Sequence, residues 1–328
     1  MHRSDAPPAC PLPARTRTLG LLLSAAIAWA APAALAAQSG LPVPLAEVAT
    51  TNFDENCEFG GGFLGGIVFD FDEQAVSQAQ DCAATGEGEA SVFTRTSASA
   101  VAGGRLGARS TAQGHLTPGT QYVAVSAGGY LDALRWRAAD ASGLSALVFT
   151  LFIEGSIESE NNAADPLTDD DLQGMIDGET DPFELADTHY GALLAFLAGT
   201  DAQLSFANRL GYGYRTHAGD GRRELPEVAV PDRASTGQFF FWLALLTYAN
   251  LIVAPPGDAE SAELVHAWVD ADYAETAGLL SVHGTDAQGN RVPVELRFAS
   301  QVVPEPATLV LLGTGLAGPG GASSLACT

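Results

Sequence analysis

The sequence contains no lysine, and all 15 of its basic residues are arginine. Against them stand 39 Asp and Glu residues, which give a net charge of −24. A chain this acidic repels nucleic acid and anionic lipid, because phosphate binding needs clustered basic side chains. The charge does not indicate disorder, since 47% of the 328 residues are hydrophobic and can build a sizeable core. We therefore expect a folded, strongly solvated protein with no nucleic-acid partner.

Sequence motifs of the common enzyme classes are also missing. The chain has no nucleophile elbow, no His-Glu-x-x-His pair, no Walker loop and no dinucleotide fingerprint. Acidic residues are so abundant that some pair will lie close by chance, and such a pair alone does not indicate a glycosidase. We expect a protein that is not an enzyme and needs no cofactor, and we keep a secreted hydrolase as a lesser alternative.

The first 36 residues have the features of a secretory signal peptide. Three arginines precede the apolar segment LLLSAAIAWAAPAALA, which ends in the small-x-small pattern Ala34-Leu35-Ala36. We predict cleavage after Ala36, which removes three arginines and one aspartate and takes the charge from −24 to about −26. An uncleaved membrane anchor is the alternative, but the apolar segment is short and interrupted by Pro32. This start predicts Sec-type export.

Cysteine is scarce, and the predicted export places the few thiols in an oxidising compartment. Cys10 lies before the apolar core of the signal and Cys327 lies at the end of the tail. Cys57 and Cys82 are separated by 24 residues, and paired thiols oxidise in exported proteins. We predict a Cys57–Cys82 disulfide, with two free buried cysteines as the alternative. Zinc binding is disfavoured, because no second Cys or His lies nearby at zinc-ligand spacing.

The body of the chain has the pattern of a β protein. Residues 37–56 are small, polar and interrupted by proline, and we interpret them as a flexible leader. From 57 to 300, short apolar or alternating segments are separated by Gly-rich turns, and both alternating sets of residues 147–153 are apolar. We predict a single antiparallel β-sandwich or jelly-roll-like domain over 57–300, with a short helical acidic insert within 158–188.

The most apolar segment after the signal is QFFFWLALLTYANLIVAPP, residues 238–256. Its apolar run of about 16 residues is shorter than the ~20 that a membrane-spanning helix needs. It also contains Thr247, Tyr248 and Asn250. We predict a buried strand or strand pair, and a buried helix and a membrane span are the alternatives.

The acidic insert contains an incomplete calcium-loop pattern. Thr168 is placed to cap a short helix that begins at Asp169, where acidic side chains meet the positive end of the helix dipole. The glycine that a calcium loop needs is present at Gly174, but the closing bidentate glutamate is replaced by Thr180. We interpret the segment as a solvated acidic cap and loop, and a calcium site is the alternative. Its candidate ligands are Asp169, Asp171, Gln173, Asp177 and Glu179.

Two groups of side chains have a pattern that fits a binding surface. His266, Trp268 and Asp270 share one face if they lie on a strand, and we interpret them as a polar surface stripe, with a metal or acid–base site as the alternative. Exposed aromatic rings can also stack on sugars. We interpret the aromatic candidates as core or rim residues, with sugar stacking as the alternative. They are Trp136, Tyr212, Tyr214 and Trp268.

The C-terminal segment reads VVPEPATLVLLGTGLAGPGGASSLACT, in which Val303, Pro304, Glu305 and Pro306 stand directly before an apolar run. It closely resembles the PEP-CTERM sorting signal of exported bacterial proteins, where such a box precedes an apolar helix and a basic cluster. The resemblance covers about the last 26 residues and the secretory start. It implies recognition by an exosortase during transient contact with the inner membrane, and delivery to the cell surface or to an exopolysaccharide matrix of the biofilm type.

The sorting tail, residues 301–328, departs from the family pattern after its box. The apolar run covers 307–317, about half of a membrane span, and Pro319-Gly320-Gly321 then breaks any helix. No arginine follows the run within the sequence. We therefore predict a secreted surface or matrix structural protein with an exosortase signal and a weak membrane anchor. A secreted carbohydrate-binding β-sandwich is the alternative function.

Overall fold

A computed structural model describes most of the chain between Pro44 and Ser300. The described residues are 44–53, 68–72, 75–85, 90–138, 143–177, 179–180, 185, 188–199, 209–216, 221–224, 228–229, 236–254 and 263–300. They form two β-sheets, packed face to face as a β-sandwich, together with one helix, α1 (Asp169–Asp177). The predicted mainly-β sandwich with a short helical acidic insert is confirmed.

The first sheet, sheet A, has the strand order β11-β10-β14-β6-β1-β2, with β17 paired to β6 and β9 paired to β10. Apart from the parallel β9–β10 pair, its pairs are antiparallel. Its strands are β1 (Leu45–Phe53), β2 (Val68–Asp72), β6 (Gln121–Ala138), β9 (Asp165–Pro166), β10 (His189–Gly199), β11 (Arg209–Thr216), β14 (Thr236–Ile252) and β17 (Val294–Phe298).

The second sheet, sheet B, has the order β12-β7-β15-β5-β4-β3, with β13 paired to β7 and both β8 and β16 paired to β15. All of these pairs are antiparallel. Its strands are β3 (Ala75–Thr85), β4 (Ser91–Val101), β5 (Arg105–Leu116), β7 (Ala146–Ile153), β8 (Ser156–Glu160), β12 (Gly221–Glu224), β13 (Val228–Ala229), β15 (Val265–Thr285) and β16 (Arg291–Val292).

Two long strands, β6 and β14, form the centre of sheet A. They pair over their whole shared length, from Thr236 opposite Arg137 to Ile252 opposite Gln121. Both faces of β14 are apolar and buried, because Phe241 lies in the core between the sheets and Trp242 packs on the opposite face. The prediction of a buried strand for this segment is therefore confirmed. None of the helices in the described part of the chain is long and apolar enough to cross a membrane.

An aromatic cluster holds the two sheets together. Phe149 of sheet B is fully buried against the rings of three phenylalanines in sheet A. Its ring centroid lies 4.8 Å from that of Phe196, 5.5 Å from that of Phe241 and 5.9 Å from that of Phe239. Such offset or tilted pairs add about 0.5–1.5 kcal/mol each beyond the burial of apolar area. This cluster explains why the inward set of the β7 segment, to which Phe149 belongs, is apolar.

A buried polar layer crosses the core beside the aromatic cluster. Ser110 of sheet B faces Ser126 and Thr247 of sheet A, and all three side chains are fully buried. The Ser110 and Ser126 hydroxyls are 3.1 Å apart, and the Thr247 hydroxyl lies 3.0 Å from the first and 2.8 Å from the second. Ser126 also donates to the backbone carbonyl of Arg109 at 2.7 Å. The layer therefore joins the sheets by hydrogen bonds between two apolar parts of the core.

The predicted flexible leader over 37–56 is wrong for residues 45–53, which form β1 in the interior of sheet A. β1 pairs with β6 on one side and with β2 on the other. Ala46 and Val48 are fully buried in the core between the sheets. The small and polar residues of the segment are accommodated because neighbouring strands satisfy its backbone and cover it, which its own composition does not reveal.

The chain changes sheets at Pro293, shortly before the domain ends. β16 pairs with β15 in sheet B, and β17 pairs with β6 in sheet A. Proline has no backbone N–H to donate to a neighbouring strand, so it separates the two short strands. Phe298, the last residue of β17, is buried in the core between the sheets. The final strand thus brings the end of the domain onto sheet A.

Candidate functional site

The predicted sorting box, Val303, Pro304, Glu305 and Pro306, lies outside the described residues, which end at Ser300. Cys57 also lies outside them, and Cys82 is placed on β3. The predicted disulfide and the role of the box therefore stay predictions. The described structure does contain the attachment point of the tail, Ser300, which is separated from the box by two residues.

A buried aspartate fixes this attachment point. Asp132 of β6 is fully buried, and its Oδ2 accepts a hydrogen bond from the Ser300 hydroxyl at 2.6 Å. Its Oδ1 accepts from the backbone N–H of Ser300 at 3.2 Å and from that of Ala133 at 2.7 Å. The Ala299 N–H donates to the Ala133 carbonyl at 2.9 Å. These bonds hold the last described residues against β6.

A glycine makes room for this tether. Gly103 has a φ of +69°, and a Cβ at this position would lie only 2.1 Å from the Ser300 hydroxyl oxygen and 3.1 Å from Asp132 Oδ2. Burial raises the pKa of the Asp132 carboxyl, and its hydrogen bonds to Ser300 and Ala133 partly oppose that rise. The sequence offered one signal for this site, an aspartate at an inward position of the apolar segment around β6, and sequence reasoning missed it.

A second candidate surface lies on the outer face of sheet B. His266, Trp268 and Asp270 share that face of β15, because they alternate with the buried residues Ala267 and Val269. This confirms the predicted polar stripe, which we call the β15 stripe. Trp268 is partly exposed, so a portion of its indole ring is available to solvent.

Neighbouring strands hold the side chains of the β15 stripe in place. Arg109 of β5 forms ion pairs with Asp270 at 2.9 Å and with Asp272 at 3.0 Å. Trp268 Nε1 donates to Glu160 of β8 at 3.0 Å. Because one guanidinium pairs with both aspartates and holds them in place, the stripe resembles an ordered polar binding face more than an acid–base site.

The position of Trp136, on β6 of sheet A, agrees with the core-or-rim interpretation of the aromatic candidates. Trp136 is only 5% exposed and packs in the core with its ring centroid 5.6 Å from that of Phe239. It is therefore a core residue and does not offer its ring to an external sugar. Tyr212 and Tyr214 are placed on β11 of sheet A, away from the β15 stripe. Among the four aromatic candidates, Trp268 is the one that the described structure places on a polar outer face.

The calcium-loop residues form a capped helix. The Thr168 N–H donates to Asp171 Oδ2 at 2.8 Å, and the Asp171 N–H donates to the Thr168 hydroxyl at 3.3 Å. This reciprocal cap confirms the predicted helix start. Alternate residues of a helix point about 200° apart, so Asp169, Asp171 and Gln173 do not converge on one ion.

The C-terminal end of the helix is also closed by local hydrogen bonds. Asp177 is its last residue, and the backbone N–H groups of Glu179 and Thr180 donate to the Gly174 carbonyl at 2.8 and 3.1 Å. These backbone hydrogen bonds close the helix after its last residue. Within the described ranges, no group of three or more His, Cys, Asp or Glu side chains is placed to hold a metal ion.

Sequence reasoning also missed a buried glutamate on the outer face of sheet A. Glu47 of β1 is 3% exposed and accepts a hydrogen bond from Trp242 Nε1 of β14. Its side chain crosses Gly129 of β6, where a Cβ would lie 3.2 Å from Glu47 Oε1 and 3.1 Å from the Ala244 Cβ. Burial raises the pKa of the Glu47 carboxyl to about 7, and the indole N–H opposes that rise.

The two buried carboxyls do not form a hydrolase pair. Glu47 lies on the outer face of sheet A with Trp242, whereas Asp132 faces the interior and binds Ser300. Since they are on opposite faces of one sheet, they cannot flank the same substrate bond, as a glycosidase would require. The hydrolase alternative therefore gains no support from these residues.

Comparison with protein-family models and with curated proteins finds no match for the chain. The fold and the sites described above define the class of the protein, an acidic β-sandwich whose described residues end in a segment tethered to β6. The resemblance of the tail to a sorting signal depends on the tail residues themselves and stays a prediction.

Proposed function

We propose that this protein is an exported structural protein of the cell surface or extracellular matrix that carries an exosortase sorting signal. The main support is the arrangement at its C-terminal end. Ser300 is tied to buried Asp132, and the box begins at Val303. In this proposal the described body ends at a fixed point shortly before the box, and a processing enzyme acts on the segment that follows.

The physical properties of the body fit this function. A net charge near −26 after signal removal keeps the domain hydrated and away from anionic lipid, so contact with the membrane falls to the apolar tail. In the sorting signal that the tail resembles, an apolar helix followed by basic residues holds the box at the membrane surface. In this proposal the residues Pro304, Glu305 and Pro306 are the recognition element, and the sandwich is the cargo.

The experiment uses an extended tail, because the native apolar run is short. The tail is lengthened with Leu and Ala residues and a run of arginines, and the protein is expressed in an exporting bacterium with or without its exosortase. We expect loss of the tail and surface or matrix localisation only when the enzyme is present. In the matched control, Pro304→Ala/Pro306→Ala in the same extended chain, processing should stop. Equal processing with and without exosortase, or no processing of the extended chain, would reject the proposal.

A second function, carbohydrate binding, is favoured by the β15 stripe. The partly exposed ring of Trp268 lies between His266 and Asp270 and is fixed by Glu160. An indole fixed in this way is suited to stack on a sugar ring, while the flanking polar groups accept or donate hydrogen bonds. Because the stack contributes about 0.5–1.5 kcal/mol, Trp268→Ala should weaken glycan binding roughly 2- to 10-fold.

A glycan array probed with the exported protein tests this second function. Trp268→Tyr keeps an aromatic ring and is the matched control for Trp268→Ala. Binding that is lost in the alanine variant and largely kept in the tyrosine variant would support a sugar-binding stripe. Binding that is equal in all three proteins, or no binding to any glycan, would argue against it.

A further inference from the structure

Three arginines meet at one corner of the outer face of sheet A. Arg135 and Arg137 point outward from β6, because Trp136 between them points into the core. Arg297 of β17 lies directly opposite Arg135, and Glu295 lies directly opposite Arg137. We call these four side chains, together with Gln238 of β14, the arginine corner.

The corner is a local exception in a strongly acidic chain. Three arginines and one glutamate give it a formal charge of +2, whereas the whole chain has −24. Like charges placed directly opposite each other on neighbouring strands are destabilising. Arg135 and Arg297 are such a pair, so their position calls for a compensating anion.

The neighbouring side chains compensate this charge only in part. Arg135 Nε donates to Gln238 Oε1, a neutral acceptor, at 2.9 Å. Arg297 donates to Glu295 Oε1 at 2.6 Å, and this arginine is the main reason that the pKa of Glu295 lies below its usual value. Arg137 acts on Glu295 through its charge, but it makes no direct hydrogen bond or ion pair within the described residues. Its guanidinium is therefore the group most available to an external oxyanion.

The corner is also concave. A cavity of about 230 Å³ is lined by Arg135, Trp136, Arg137, Glu295 and Arg297. Pockets for drug-sized ligands usually measure about 300–1,000 Å³, so this one suits a single small acid. Thr236, opposite Arg137, and Gln238, opposite Arg135, add exposed polar groups beside it. Hydroxyl and amide groups of this kind bond to the hydroxyls of a sugar.

From these observations we propose that the arginine corner binds the carboxylate of an acidic sugar, a uronate. Guanidinium groups bind carboxylates through two parallel hydrogen bonds, and such charge-assisted bonds act at short range. A single carboxylate can therefore bind in the cavity despite the negative charge of the whole protein. An anionic membrane is an extended surface that meets the full field of the molecule, and this field repels it.

Whether the corner binds a carboxylate does not depend on the proposed function. Which molecule supplies this carboxylate to the protein does depend on it. A free uronic acid and a uronate within a matrix polysaccharide present the same carboxylate to the corner. If the protein works in an extracellular matrix, as proposed above, the polysaccharide is the relevant source. Binding in vitro requires neither export nor exosortase, so a failure of this inference and a failure of the sorting function are separately visible.

The experiment is a calorimetric titration of the full chain with four probes at low and at physiological salt. The probes are galacturonate, trigalacturonate, the methyl ester of trigalacturonate and vesicles of phosphatidylglycerol. We expect binding of at least one of the two uronates, with at least tenfold weaker binding of the neutral ester, and loss of affinity as salt increases. Tighter binding of the trimer assigns the polysaccharide as the source, and equal binding of monomer and trimer assigns the free sugar.

Substitutions locate the site. Arg137→Gln should weaken uronate binding about tenfold or more, because a charge-assisted hydrogen bond is lost. Arg297→Gln is a second variant at the corner, and both residues are exposed, so the fold should persist. The matched control is Arg95→Gln on β4 of sheet B, where Arg95 pairs with Asp81 at 2.8 Å in an exposed ion pair. No binding of either uronate, binding that both corner variants retain, or binding of vesicles in place of uronates would overturn the proposal.

Discussion

Glu47 is a carboxyl in an environment that disfavours its charge. It is buried on sheet A with one donor, the indole of Trp242, and burial raises its pKa from 4.5 to about 7. In the unfolded chain the group ionises near pH 4.5, while the folded protein holds the proton up to about pH 7. The folded state therefore binds more protons than the unfolded state between these values, and its stability falls as pH rises through them.

The first prediction concerns this loss of stability. Between about pH 4.5 and pH 7, Glu47 should remove about 3 kcal/mol from the free energy of unfolding. Glu47→Gln keeps an acceptor for Trp242 but cannot ionise, so it should flatten this part of the pH profile. Urea unfolding at several pH values measures the effect, and Glu154→Gln, at an exposed glutamate, is the control. If the free energy of unfolding falls with pH as steeply in Glu47→Gln as in the unmodified protein, another group is responsible for the loss of stability.

The second prediction at this scale concerns the tether of the C-terminal end. Asp132→Ala removes the acceptor for the Ser300 hydroxyl and for two backbone N–H groups. With net contributions of about 0.5–1.5 kcal/mol per hydrogen bond, the variant should lose about 3 kcal/mol of stability. Hydrogen exchange should accelerate at the Ser300 amide beyond the change seen at amides of β14. Asp165→Ala, at an exposed aspartate of β9, is the control. If the Ser300 amide exchanges at the same rate in Asp132→Ala as in the unmodified protein, the tether is contradicted.

Neither buried carboxyl could be identified from the sequence, for a physical reason. Glu47 and its donor Trp242 are 195 positions apart, and Asp132 and Ser300 are 168 apart. An acidic residue in a partly apolar segment is compatible with a position at the edge of a sheet, a position in a loop or a buried, hydrogen-bonded position. The tertiary pairing of β1, β6, β14 and β17 decides between these cases.

At the scale of strands and helices, the polar layer shows how two sheets are aligned. Ser110, Ser126 and Thr247 come from three strands, and each hydroxyl lies within hydrogen-bond distance of the other two. If the sheets slid by one residue, these hydroxyls would face apolar side chains. Because a buried hydroxyl without a partner costs about 1–3 kcal/mol, the layer disfavours such alternative packings.

The third prediction tests the polar layer. Ser126→Ala removes the group that joins Ser110, Thr247 and the Arg109 carbonyl, and it should cost about 1–3 kcal/mol of stability. Ser97→Ala on the outward side of β4 is the matched control, with an expected change within about 0.5 kcal/mol. Chemical denaturation at fixed pH measures both. If the two variants lose the same stability, the layer has no special role in holding the sheets.

Prediction from sequence was most reliable for strongly patterned elements. The continuous apolar run of β14 and the alternation of the β15 stripe are both found in the structure, and the Thr168 cap has a local chemical signal. β1 failed because its residues are small and partly polar, and its burial comes from β6 and β2. The arginine corner was equally hidden, since Arg297 and Arg135 meet only through the β17–β6 register.

At the scale of the whole molecule, an acidic sandwich is joined to an apolar tail with little between them. Ser300, the last described residue, is tethered and Val303 begins the box, so the body and the box are close in the chain. An extended residue spans at most about 3.6 Å, so Val303 lies within roughly 11 Å of the tethered residue along the chain. A membrane-bound processing enzyme that reaches the box would therefore also meet the β6–β17 edge of the body.

The fourth prediction concerns the fate of this tail in the 328-residue chain. Leu and Val favour membrane insertion by only a few tenths of a kcal/mol each, so the eleven residues 307–317 make a weak anchor. Pro319-Gly320-Gly321 follows them, and residues 318–328 contain no arginine that would hold this segment on the cytoplasmic side. We expect this chain to pass through the inner membrane and to be recovered largely uncleaved, with Cys327 attached.

Intact-mass analysis of exported protein decides between the outcomes. The unmodified chain should have the mass of residues 37–328, while a version with added Leu, Ala and Arg residues should be retained and cut near Pro304-Glu305-Pro306. The comparison separates recognition of the box from retention by the anchor, because both chains contain the same box. Efficient loss of the tail from the unmodified chain would show that the box and eleven apolar residues suffice, and that retention does not require the basic cluster.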